Sequence, residues 1–143
     1  MVGTILEILY GKSYFDVDDA AFERDVLQRS VVVPVAMLHW ADGHEPSTIL
    51  KDLLERLALE YEGRWVLARI RVDADQHEWR DFWFDSVPGI FGVVDGSTRP
   101  LFGRLTLQEK GAALEIQVRQ HLDRLVEWAD AHWSHDWKRL NEL

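Results

Sequence analysis

The chain has 143 residues, 47% of them hydrophobic and 29% charged, with a formal net charge of −9 and no cysteine. That length supports one domain with a substantial core, the acidic balance argues against nucleic acid or an anionic membrane as partner, and the missing thiols remove disulfides, thiolate nucleophiles and zinc–thiolate sites. No apolar run approaches the roughly 20 residues of a membrane span, and the start of the chain, with Glu7 and no basic residue, does not read as a signal peptide, so a cytoplasmic location is expected.

In chain order, Asp18-Asp19 is a carboxylate pair suited to capping a helix, and Ala21, Phe22, Val26 and Leu27 follow at helical spacing. Val31 to Trp40 is a nearly continuous apolar run rich in β-branched residues, the pattern of a strand buried on both faces. After the polar break Asp42-Gly43-His44-Glu45-Pro46-Ser47, the residues Leu50, Leu53, Leu54, Leu57, Ala58 and Tyr61 mark one helix face. Pro46 fits its first turn, Gly63 its stop, and Ser47, Glu45 or Asp42 would cap it. Trp65 to Val72 is the next strand, and His77 to Phe84 a short aromatic helix carrying Trp79, Phe82 and Trp83. Val87-Pro88 leads into a strand over Gly89 to Val94, the Asp95-Gly96 pair is a hairpin turn, and Pro100 to Leu105 is the antiparallel partner. The last helix opens either at the capping-box pattern Thr106-Leu107-Gln108-Glu109 or, because Gly111 interrupts, at Ala112. The order β-α-β-α-β-α-β-β-α implies an α/β fold, a mixed sheet covered by helices on both faces.

Several stretches, taken in register, resemble the thioredoxin family over residues 13–125. Val17 to Leu27 is similar to its first strand-to-helix step, and Pro34 to Ala41, ending His39-Trp40-Ala41, to the strand that delivers its active-site tryptophan. Tyr61-Glu62-Gly63 with Leu67 to Asp73 resembles the next helix end and strand; Val87-Pro88 falls at the family's cis-proline and Asp95-Gly96 at its hairpin. The resemblance implies a thioredoxin-like three-layer α/β/α sandwich with a mixed central sheet. Residues 1–12 would be an N-terminal extension, and 126–143 would lengthen the C-terminal helix beyond the family pattern. The family's Cys-Gly-Pro-Cys motif falls on His44-Glu45-Pro46-Ser47, Gly43 replaces a second tryptophan, and Leu38 stands where the redox enzymes bury an aspartate. Thiol, resolving thiol and proton acceptor are all replaced, so redox catalysis is not expected. Among cysteine-poor relatives, Leu53 to Gly63 and Val72 to Gln76 are most similar to the thioredoxin-like domain of bacterial chaperedoxins, holdase co-chaperones.

Two surfaces follow as candidates. One is the former redox surface, Trp40, Gly43, His44, Glu45, Pro46, Ser47, Val87 and Pro88, where the family pairs an extended peptide through backbone groups. The other is the C-terminal helix. Leu114, Val118, Leu122, Leu125, Ala129, Trp133, Trp137 and Leu140 continue one apolar face. Trp128, Trp133, Trp137 and Leu140 lie beyond the point where the family's core should be complete, and exposed Trp is enriched at binding hot spots. The expectation is a non-catalytic protein-interaction module, a chaperone-like holder or assembly factor, without cofactor, metal or catalytic residue. Two alternatives stand beside it. One is an accessory subunit or homo-oligomer joined through the terminal extensions, and the other a glutathione-binding enzyme using Ser47 or His44 at the helix N-terminus. His132 and Asp136 have one-turn spacing but no further metal ligand, so solvated helix surface is expected there.

Overall fold

The apolar stretch from Val31 to Trp40 divides into two pieces. Val31 closes a 3-10 turn (Arg29–Val31), and only Val35–Trp40 forms a strand, β2, with its first five residues all buried. The computed structural model describes residues 13–18, 21–72, 88–102 and 109–141, with residues 135–141 as backbone only. The other strands are β1 (Tyr14–Asp16), β3 (Val66–Arg71), β4 (Gly89–Val94) and β5 (Ser97–Phe102), and the two long helices are α1 (Glu45–Glu60) and α2 (Gly111–Asn141). The expected aromatic helix His77–Phe84, the residues 1–12, Val87 and Thr106–Gln108 lie outside the described residues.

The sheet has five strands in the order β1-β3-β2-β4-β5. β1, β3 and β2 are parallel, while β4 is antiparallel to both β2 and β5. β4 and β5 meet through a two-residue turn in which Asp95 (φ 49°) and Gly96 (φ 79°) are both left-handed, the backbone that a tight hairpin with the native strand twist demands. This turn sets the register of β5. Val94 pairs with Ser97, so the strand starts three residues before Pro100, where the sequence placed it. At the two ends of the sheet, β1 is three residues long, and β5 carries Pro100 opposite a register shift at Ile90/Phe91.

Alternation along β2 sorts the core into two layers. Ala36 and Leu38 point to the face covered by α1 (Leu50, Leu54, Leu57) and α2 (Leu114, Val118, Leu122, Leu125). Val35 and Met37 point to the other face, with Val66, Ala68, Ile70 and Val93, and there the first helical segment contributes Val26. Helices therefore lie on both faces of a mixed sheet, a thioredoxin-like arrangement. The first segment is not a regular α-helix. Glu23–Gln28 winds as a π-helix before the 3-10 turn. So short a segment has little winding preference of its own and is fixed at its ends. Asp18 Oδ1 accepts the Ala21 N–H at 2.8 Å, and Ser30 Oγ, donating to the Leu27 carbonyl at 2.6 Å, accepts the Gly96 N–H at 2.9 Å.

α1 and α2 run side by side in the same direction, laced by Arg56 to Glu115, Arg119 to Glu60 (2.5 Å) and the Tyr61 hydroxyl, which donates to Asp123 at 2.8 Å. α2 begins at Gly111, the later of the two expected starts. The expectation that its apolar stripe becomes surplus beyond Leu125 is corrected as far as Trp133. Ala129 is buried, Trp128 and Trp133 pack against the domain's own core, Arg99 lies over the Trp128 ring at 4.1 Å, and His132 meets Asp95 at 2.9 Å. The hairpin turn, the Val32–Pro34 connection and the Glu62–Arg64 loop supply the wall against which this part of the helix packs. The side chains of Trp137 and Leu140 lie outside the described residues.

Candidate functional site

β2 ends at Trp40, and the chain reaches α1 through Gly43, whose φ of +76° is one that residues with a side chain rarely adopt. No atom lies within 4 Å of where a Cβ would stand, so the backbone, not crowding, selects glycine here. Asp42 pairs with Arg71 at 3.4 Å and does not cap the helix. The N-cap residue is His44, in extended conformation (φ −98°, ψ 104°), and no side chain caps the first turn. Pro46 occupies that turn, where its missing N–H costs nothing.

The expected capping by Ser47 gives way to a different bond. Ser47 is fully buried, and its Oγ lies 2.7 Å from His44 Nδ1. The His44 carbonyl accepts the Thr48 N–H at 3.1 Å and the Thr48 hydroxyl at 3.3 Å. The two positions that carry the family's thiols thus bond to each other, one exposed and one sealed. Leu38 lies fully buried in the apolar layer under α1.

Trp40 is half-buried against the same layer, with Lys51 Nζ 5.2 Å from its ring centre. Lys51 bonds Glu55 at 2.9 Å, Glu55 bonds Arg69 at 2.6 Å, and Arg69 bonds Asp16 at 3.0 Å. Burial works against the charge on Glu55, yet Arg69 and Lys51 hold its carboxyl below the usual range. This chain of charges ties α1 to β3 and β1, so it braces the site from beneath.

Pro88 is buried immediately before Gly89, which pairs with His39, so it sits beside the end of β2. Of the residues expected to present a partner surface here, Gly43, His44, Glu45 and Pro46 are exposed, Trp40 is partly so, and Ser47 and Pro88 are not at the surface. Sequence reasoning missed the residue that most changes the surface. Ile49 is 49% exposed and, with Pro46, Leu50 and Leu114, lines a groove of about 350 Å³ between the starts of α1 and α2, with Glu45 and Lys110 at its mouth. Its only sequence signal is an isoleucine one position off the Leu50–Leu54–Leu57 stripe.

His39, on the opposite face of β2, is fully buried, edge-on to the Phe91 ring at 5.5 Å. Burial pushes its imidazole down to about 3, so it is neutral near pH 7. Trp128 and Trp133 belong to the far end of the molecule. Trp133 stands with Val32–Pro34, which precede β2, whereas His44 follows it. Among the described residues no group of three or more His, Asp or Glu is placed to hold a metal ion, and no helix is long and apolar enough to cross a membrane.

No family model matches the chain. Among curated proteins, it is 29% identical over 116 residues to an uncharacterized protein of Mycobacterium tuberculosis, covering 81% of this chain but only 34% of that protein. The chain thus spans about a third of the length of the first curated relatives it matches. It is 25% identical over 104 residues to the thioredoxin of Pseudomonas aeruginosa, covering 72% of this chain and 94% of the relative. To the thioredoxin of Thiocapsa roseopersicina it is 30% identical over 76 residues, 53% of this chain and 81% of the relative. With strand order, hairpin and helix placement in agreement, the chain belongs to the thioredoxin-like superfamily.

Proposed function

We propose that this chain is a non-catalytic protein-interaction module that holds a partner or client polypeptide at the end of the sheet where thioredoxins carry their redox motif. One observation carries the reading. The sealed Ser47–His44 pair stands directly beside an open apolar groove floored by Pro46, Ile49, Leu50 and Leu114. Thiol–disulfide exchange needs a thiolate and a resolving thiol, and the sequence has neither. Ser47, fully buried, does not offer its hydroxyl to a glutathione thiol. An exposed isoleucine beside a proline, in a groove large enough for one or two apolar side chains, suits an extended or helical segment docking by hydrophobic contact. The similarity of Leu53–Gly63 and Val72–Gln76 to chaperedoxin domains supports the holder form of this reading.

The test is suppression of thermal aggregation of a model enzyme, followed by light scattering. Wild type is expected to delay scattering at near-stoichiometric ratios, and Ile49→Asp to lose that effect while its circular dichroism and melting temperature stay unchanged. A wild-type chain that delays aggregation of no client, or an Ile49→Asp chain that delays it equally, removes the proposal.

A further inference from the structure

The end of the molecule opposite His44–Ser47 carries a second apolar surface that the proposed client groove does not use. Val31 and Val32 are 53% and 62% exposed, two adjacent β-branched residues facing water. Beside them a recess of about 340 Å³ is walled by Val33, Pro34, Val126 and Trp133. Exposed apolar residues around a recess mark an interaction surface more often than scattered ones do. The Tyr61 face of this region is already satisfied, since Arg64 lies over the Tyr61 ring at 4.7 Å and donates to the Tyr61 carbonyl at 3.3 Å. The exposed carboxylates at the mouth of the recess are Glu62 and Asp130.

The same end also presents a ligand for such a recess. α2 passes the recess at Trp133 and continues to Asn141, about 12 Å further at the helical rise. In sequence this stretch places Trp137 and Leu140 at the next stripe positions and Lys138-Arg139 between them, an adjacent basic pair in a chain of net charge −9. We propose that this end is a self-association surface. The end of α2 from one copy docks in the Val32–Pro34–Trp133 recess of a second, and Lys138 and Arg139 face Glu62 and Asp130. A surface that holds both the recess and the helix end is self-complementary, so a two-fold arrangement engages both recesses and closes at a dimer. Opposite charges at the rim offset the repulsion that two acidic copies otherwise feel. This surface is independent of the client groove, so either proposal survives failure of the other.

Sedimentation velocity of the full 143-residue chain over a concentration series tests it. The expected result is a concentration-dependent dimer that Val32→Asp, a change at an exposed position, weakens by about tenfold or more, with unchanged circular dichroism. Ile49→Asp, at the other end, leaves the dimer intact. The reversal Lys138→Glu/Arg139→Glu also weakens the dimer, and adding Glu62→Lys/Asp130→Lys restores it. A chain that is monomeric at every concentration, a dimer indifferent to Val32→Asp, or a charge reversal that its counterpart does not rescue overturns the proposal.

Discussion

The two ends of α1 contrast. At its start, the chain swings through Gly43 into a turn without a side-chain cap and leaves His44, Glu45, Pro46 and Ile49 in water around an apolar groove. At its finish, Tyr61 donates to Asp123, its ring meets Trp65 edge-on at 5.5 Å, and Trp65 is fully buried. Burial and the Asp123 carboxylate push the Tyr61 hydroxyl up to about 12, so it remains a donor at any physiological pH. One end of the helix is locked by packing, and the other is left available. The position beneath the start shows how this was done. Leu38, where redox relatives carry an acid, extends the apolar layer under α1 and turns a titrating site into ordinary core.

The sharpest way to break that contrast is to return the acid. Leu38→Asp buries a carboxyl with no described basic side chain in its layer, and a loss of about 4 kcal/mol or more is expected in urea unfolding. A loss under about 1 kcal/mol would mean that the start of α1 is wetter than described. Next in size is the other face of β2. His39 has an ordinary pKa near 6.5 when unfolded and about 3 when folded, so its effect is absent above pH 6.5 and grows as pH falls toward 3. The unfolded chain takes up a proton that the folded chain refuses, so stability drops by roughly 1.4 kcal/mol per pH unit, about 2 kcal/mol between pH 7 and 5. Urea titrations at the two pH values measure it, and His39→Leu should flatten the dependence. Smallest is Tyr61→Phe, expected to cost about 1.5 kcal/mol through the lost bond to Asp123. It should leave client holding untouched if the two ends of α1 are separable; loss of holding would show that they are coupled.

Where one element carries its own local rule, the sequence was easy to read. Asp95-Gly96 announces a tight turn, Gly89–Val94 follows at full length, and the leucine stripe with Pro46 and Gly63 brackets α1 closely. Where the outcome depends on a distant surface, it was not. Val31 and Val32 look like strand residues by type, but with nothing covering them they stay in a 3-10 turn and its exit. Trp128 and Trp133 look surplus until the hairpin, the Val32–Pro34 connection and the Glu62–Arg64 loop are placed beside them. The candidate site was legible as a location and only partly as a surface. His44 to Pro46 are exposed as expected, but Ser47 and Pro88 turn inward and Ile49 takes the exposed place. Helical phase decides that, and a one-residue step from a core stripe to its flank is too small a signal to stand out in composition or motif.

A protein that holds unfolded segments meets extended backbone as a matter of course, and any long, regular sheet edge would pair with it and recruit further strands. Here the edge strands offer little to copy. β1 has three residues, and β5 interrupts its ladder with Pro100, which has no N–H, and with the shift at Ile90/Phe91. Polypeptide arriving at this domain is therefore directed to side-chain contact in a groove and away from backbone templating. Capacity is then set by the number of grooves, and a captured client leaves as it came, without having seeded a growing sheet.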